Sequence, residues 1–215
     1  MFLGSRTRAV WDRVRALNRF VAIGGEPRCE VVVGDGVRFS RLNRIEHDPG
    51  AGGHRVEVGD GAHVQGLRIK FHGRGSRVIL GAGCRWRGYI IVHGDGRTVR
   101  IGARSTAIGV YIVSRGADVT IGEDCMFSRD IEVRSTDVHP IYDRETGRRI
   151  NPAAAVRIGD RVWVAADATI SKGSVIPDGC VVGAKSFVNR AFDEPDCVIA
   201  GVPAKVIRKN VRWER

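Results

Sequence analysis

The chain has 215 residues, 43% of them hydrophobic and only 7% aromatic, with 28 glycines and a formal net charge of +11. That apolar fraction excludes wholesale disorder, and the glycine content falls far short of a collagen repeat. The charge is carried by scattered arginines without a recognition-helix, RNP or zinc-finger pattern, which sets nucleic acid aside and favours a polyanionic cofactor such as CoA, or an anionic glycan.

In chain order, residues 1–24 read first as a basic amphipathic helix. Val10, Val14, Leu17 and Val21 fall at helical spacing, and Arg6, Arg8, Arg13, Arg15 and Arg19 supply charge. Such a helix serves either as a cap on the body that follows or, through residues 1–22, as a contact with a membrane surface. No apolar run approaches the ~18 residues that span a bilayer, and the N-terminus shows no signal-peptide core. Five cysteines without a CxxC pair argue against a disulfide framework. The expected compartment is therefore the cytoplasm, with the inner face of the membrane as the place for a surface contact.

Residues 25–188 read as repeating units. Val33-Gly34, Val58-Gly59, Leu80-Gly81, Ile101-Gly102 and Ile121-Gly122 each open one, so the steps are 25, 22, 21 and 20 residues. The fourth followers are Val37, Ala62, Cys84, Ser105 and Cys125, and eleven residues after three starts stand Ile69, Ile91 and Ile112. His72 and His93 both sit eight residues before the next start, which places them on adjacent units. Two histidines alone do not make a zinc site, which takes three or four protein ligands; no metal is expected.

From Ile158 to Phe187 the period is six. Ile158, Val164, Ile170, Ile176 and Val182 open the hexads, and Val162, Ala168, Ser174, Cys180 and Ser186 follow four residues later. The chance of this at one location is on the order of one in a million from average composition. Six is the period of neither a helix nor one long strand. It suits a short strand plus a corner, with one large and one small side chain turned inward per face. Such a unit cannot bury its apolar side alone, so units must stack into an all-β solenoid, three hexads to a turn. Cys84, Cys125 and Cys180 then occupy small inward positions and are no nucleophiles. Cys29 and Cys197 fall outside the pattern.

The repeat breaks once: 37 residues separate Ile121 from Ile158. His139 stands where the chain leaves its turn, and the polar stretch after it makes residues 140–157 a projecting loop. Histidine suits removal of a hydroxyl proton at neutral pH, its ordinary pKa being ~6.5. Asp137 is placed either to hold the imidazole, to bind an acceptor, or merely to cap a turn. Trp163 follows the inward Val162 and so points outward, as a subunit contact or a platform for a sugar ring or an acetyl group.

The segment from Ile121 onward carries a resemblance. Ile121-Gly122-Glu123-Asp124-Cys125-Met126-Phe127-Ser128, Asp137-Val138-His139-Pro140-Ile141-Tyr142-Asp143, Arg149-Ile150-Asn151-Pro152-Ala153, Ile158-Gly159-Asp160-Arg161-Val162-Trp163-Val164 and Gly201-Val202-Pro203-Ala204-Lys205-Val206-Ile207 resemble the hexapeptide-repeat acyltransferases. The order and spacing are most similar to bacterial capsule and polysaccharide O-acetyltransferases, over roughly residues 100 to 210. The resemblance implies a single-stranded left-handed parallel β-helix, a handedness that the repeat itself does not give. It further implies a homotrimer that moves an acetyl group from acetyl-CoA to a saccharide hydroxyl, with His139 as base and Trp163 in the site. Asn151 and Tyr142 are the expected acceptor contacts. For CoA the resemblance points to Ala165, Lys172, Gly173, Ala184 and Lys185, and to Gly201, Pro203, Lys205 and Arg208 in the tail, residues 189–215. Ala165 and Lys185 stand where relatives commonly carry glycine. An N-acetyltransferase of xenobiotics or amino sugars is the second enzyme reading, and a non-catalytic scaffold is the reading from another class.

Overall fold

The computed structural model describes residues 20–23 and 29–215. The chain winds as a three-faced parallel β-solenoid of seven turns. The first face is the seven-stranded ladder Cys29–Val33, His54–Val58, Arg77–Leu80, Thr98–Ile101, Val119–Ile121, Val156–Ile158 and Val175–Ile176. The second face runs from Arg38–Ser40 through Met126–Phe127 and Trp163–Val164 to Val181–Val182. The third runs from Asn43–His47 through Ile131–Arg134 to Phe187–Val188. Two long strands, Arg85–His93 and Thr106–Arg115, bend from the second face into the third.

The inward rule read from the repeat is obeyed from the second turn onward, while Val33 and Val37 of the first turn are only partly buried against the core. Ile158, Val164, Ile170, Ile176 and Val182 are buried, and so are Ala62, Cys84, Ser105, Cys125, Val162, Ala168, Ser174, Cys180 and Ser186. Alternation of large and small inward residues lets successive turns interlock. The wider early turns hold the few large rings, with Trp86 and Phe127 packed at 5.7 Å between centroids.

The hydrophobic–glycine unit starts have a steric cause. At the corner after the first face, each turn rests directly on the next. A Cβ on Gly102 would lie 2.4 Å from the carbonyl carbon of Gly122, and one on Gly81 would lie 2.5 Å from the Ala103 nitrogen. The glycines keep the ladder in register there, Gly102 N–H donating to the Ile121 carbonyl at 2.8 Å.

One inward residue differs from expectation. Ile90, not Ile91, pairs with Ile69 and Ile112 and is buried. The corner before it is shorter, compressed at Gly88, where a Cβ would lie 2.2 Å from the Val110 oxygen; the strands slip register at Ala107/Val110 to absorb this. His72 and His93 do stack on adjacent turns, 5.0 Å between centroids, and the Asp48 carboxylate bonds to His72. Among the described residues no group of three or more metal-ligating side chains is assembled.

The helix expected over 1–24 lies outside the described residues up to residue 19; Phe20–Ile23 is a strand, parallel to Asn43–His47. Among the described residues no helix is long and apolar enough to cross a membrane. At the other end the tail is tied to the solenoid. Val198–Gly201 stacks on Val181–Val182, and Ala204–Arg208 folds back antiparallel upon it. Cys197 thereby takes the inward place beneath Cys180, and Cys29 is inward in the first turn; both are buried.

Candidate active site

The chain leaves the third face after Arg134, where Ser135 still bonds to its neighbouring turn through the Val113 carbonyl at 2.9 Å. The next residues form a three-residue turn. The His139 N–H donates to the Asp137 carbonyl at 2.8 Å, and Val138 between them has φ +70°. This is the rare hand of γ-turn, and a β-branched residue in the left-handed region is strained. Such strain persists only when surrounding contacts over-determine it.

Those contacts converge on Asn151, which is buried at 6% exposure. Its side-chain nitrogen donates both to the Asp137 carboxylate (Oδ2, 2.9 Å) and to the His139 carbonyl (2.9 Å). Its side-chain oxygen accepts from the Ile141 N–H at 2.6 Å. From the next turn of the solenoid, Lys172 Nζ reaches the same Asp137 oxygen at 2.5 Å. The Lys172 ammonium, and after it the Asn151 amide, hold the Asp137 carboxyl below the usual carboxylate range. The result is a strained turn pinned on two sides, with the His139 residue exposed at its tip.

Beyond His139 the projecting loop is a hairpin. Ile150 N–H donates to the Ile141 carbonyl, Tyr142 bridges Arg149, and the Asp143 carboxylate ties the tip by accepting from the Thr146 N–H and hydroxyl. The hairpin displays Ile141, Tyr142 and Ile150, each more than half exposed.

The residues expected in the site fall into three places. His139, Asp137, Asn151, Lys172 and Gly173 gather at the corner between the third and first faces, with Tyr142 on the hairpin beside them. Asn151 is therefore placed to shape the turn, its amide fully engaged beneath it. Lys172 is ion-paired to Asp137 at this corner. Ala165, Ala184, Lys185, Gly201 and Pro203 collect at a second corner, between the second and third faces. There Lys185 N–H bonds to Ala166 and Gly201 N–H to the Ser186 hydroxyl, with Lys205 and Arg208 on the returning strand. Trp163 occupies the third place. It lies on the second face, half-buried, between Met126 and Val181 of the adjoining turns. In a three-faced prism the corner that carries His139 lies opposite the second face, so one chain holds its His139 and Trp163 on opposite sides.

Sequence reasoning missed two features. The Asn151–Asp137–Lys172 cluster joins residues 14 and 35 positions apart, which no periodicity links. Trp213, unassigned in the sequence, packs against Trp163 at 6.2 Å between centroids. A tryptophan in an otherwise charged tail was the available signal.

No protein-family model matches the chain. A polysialic acid O-acetyltransferase of Neisseria meningitidis is 34% identical over 162 residues, 74% of this chain and 75% of that protein. The polysialic acid O-acetyltransferase of Escherichia coli O1:K1 is 39% identical over 127 residues, 58% of this chain; the match spans only 41% of that relative's length. The crystal structure of the polySia-specific acetyltransferase NeuO superposes with a TM-score of 0.82 at 32% identity, covering 92% of this chain and 83% of that one. With its repeat, its seven-turn solenoid and these relatives, the chain belongs to the hexapeptide-repeat acetyltransferase family.

Proposed function

We propose that the chain is an acetyl-CoA-dependent O-acetyltransferase acting on a sugar hydroxyl of a surface or capsular polysaccharide or its precursor. The observation that carries this reading is the display of His139 on a clamped, strained turn at the break of the repeat. The names of the relatives, both polysialic acid O-acetyltransferases, supply the substrate class. The left-handed winding implied by the resemblance belongs to the same reading.

His139 takes the proton of the acceptor hydroxyl as its oxygen adds to the thioester carbonyl; collapse of the adduct breaks the C–S bond, and the imidazolium returns the proton to the departing thiolate. Bound acetyl-CoA supplies the activated acetyl group, transferred directly in a ternary complex without an acyl-enzyme. The second corner suits the donor. Small residues Ala165, Ala184 and Gly201 let a thin pantetheine chain approach the backbone, and exposed Lys185, Lys205 and Arg208 suit phosphates. Oxygen chemistry, rather than amide formation or a scaffold role, is favoured by the relatives and by the exposed histidine.

Because His139 and Trp163 lie on opposite sides of one prism, the complete site needs two copies, and a homotrimer with three shared sites meets that need. The exposed Ile141, Tyr142 and Ile150 of the hairpin suit contact with a neighbouring copy. We place the reaction in the cytoplasm.

The test is thiol release from acetyl-CoA with polysialic acid and other acidic glycans as acceptors. His139→Ala is expected to lower turnover by about 10²- to 10⁴-fold; undiminished turnover would sink the base assignment. Mixed assemblies of His139→Ala and Trp163→Ala chains should turn over faster than either variant alone. Absence of such complementation, or a monomer in solution, defeats the shared site.

A further inference from the structure

The last residues of the chain form a strap on the outside of the solenoid. After Arg208 the chain turns back along the corner between the first and second faces. The Val211 N–H donates to the Asp196 carbonyl at 2.8 Å, and the Trp213 indole N–H donates to the Arg161 carbonyl at 2.8 Å. The Arg215 guanidinium donates to the carbonyls of Cys125 at 2.9 Å and Arg104 at 3.1 Å. These anchors step from the last turn back to earlier ones. Between them the strap stands off the corner, leaving an open cleft of about 680 Å³ that Arg161, Arg212 and Trp213 help line.

The strap makes one ring contact, and it is with Trp163. The two indoles lie 6.2 Å apart at 47°, within the tilted range in which aromatic pairs attract. The hydrogen-bond anchor of Trp213 is the carbonyl of Arg161, two residues before Trp163, in a corner where Arg161 itself has φ +51°. Anchor and target thus share one short stretch of backbone. Among the described residues, this outward tryptophan, flanked by Met126 and Val181, has no other ring contact to fix its tilt.

We propose that Trp213 is a positioning residue for the acetyl-transfer site: the carboxy-terminal strap holds the Trp163 ring at a set angle, so that it presents a fixed face to the acceptor sugar. The proposal rests on the place of Trp163 in the site argued above. Ordering the ring in advance spares the acceptor that cost on binding.

The experiment is a double-mutant cycle on glycan turnover with full-length protein, using Trp163→Ala, Trp213→Ala, the double variant and Trp213→Phe. Trp213→Ala is expected to raise KM for the glycan roughly three- to tenfold, the range of one aromatic pair, with KM for acetyl-CoA unchanged. Trp213→Phe should restore most of this. The double variant should be no worse than Trp163→Ala alone. The paired-indole exciton band in circular dichroism should be present in the wild type and lost in either single alanine variant. Additive losses, an unmoved KM in Trp213→Ala, or a wild type without that band overturn the proposal. His139→Ala run in parallel keeps the two readings apart. Activity retained there defeats the base assignment, while the tryptophan cycle is read on the same turnover whatever base drives it.

Discussion

Asn151 and His139 are joined across twelve residues of chain by a 2.9 Å hydrogen bond from a side-chain amide to a main-chain carbonyl. The same nitrogen holds the Asp137 carboxylate, so a single amide spans both ends of the strained turn. The Asn151→Ala variant removes both bonds and the acceptor for Ile141. With His139 as the proposed base, a misplacement of about 1 Å there costs about a hundredfold in turnover, whereas the lost buried hydrogen bonds cost only about 1–3 kcal/mol. The expected result is a folded protein with turnover reduced on that scale and a modestly lower Tm. Full activity would show that the clamp does not govern the base.

The Asp137–Lys172 pair has a pH signature. The Asp137 carboxyl is held below its ordinary range by the Lys172 ammonium and the Asn151 amide. A depressed carboxylate favours the folded form above its unfolded pKa of about 3.9, and that contribution is lost as pH falls through the lower folded value. Wild type should therefore be more stable than Asp137→Asn at neutral pH, with the gap closing below about pH 4. Denaturant titrations of both proteins across the acid range check this; a gap that widens on acidification contradicts it.

All five thiols are buried. Burial pushes Cys84 and Cys125 up to about 11 and Cys29 up to about 12. Thiolate, the reactive form, is scarce under these conditions. Native protein at neutral pH should give almost no colour with Ellman's reagent and five equivalents after denaturation. Rapid labelling of even one native thiol would contradict the inward placement.

The corner glycines offer a matched pair. In Gly102→Ala the new methyl meets the Gly122 carbonyl carbon at 2.4 Å, backbone that can yield only by separating two turns. The expected cost is roughly 1–3 kcal/mol or more. Gly109→Ala, whose nearest neighbour would be 3.9 Å away, should leave the unfolding midpoint almost unchanged. Equal effects would show that turns do not press on one another at the Gly102 corner.

Periodicity carried the fold because burial imposes it. Each large-and-small inward pair of the hexads from Ile158 onward is where the six-residue rule puts it. The rule failed by one residue at Ile91, since a corner's length depends on how closely two backbones approach at Gly88. Cys29 and Cys197 looked irregular only because they belong to the first and the incomplete last turn. The site was less legible. His139 and its hairpin announced themselves as a break in the pattern, but Asn151 and Lys172 reach Asp137 through the winding of the chain. That the prism separates His139 from Trp163 follows from three-dimensional winding and not from their spacing of 24 residues.

The hairpin from Ile141 to Ile150 hangs from one corner and closes through its own hydrogen bonds, while the turns before and after it, at Ile121 and Ile158, pair directly with one another. The ladder is thus continuous behind the excursion. Loop-closure entropy grows only slowly with length, so a longer or shorter hairpin can be exchanged at this corner without disturbing the frame. Such a joint lets the hairpin change in length and composition while the strained turn at His139 and the stacked turns keep their places.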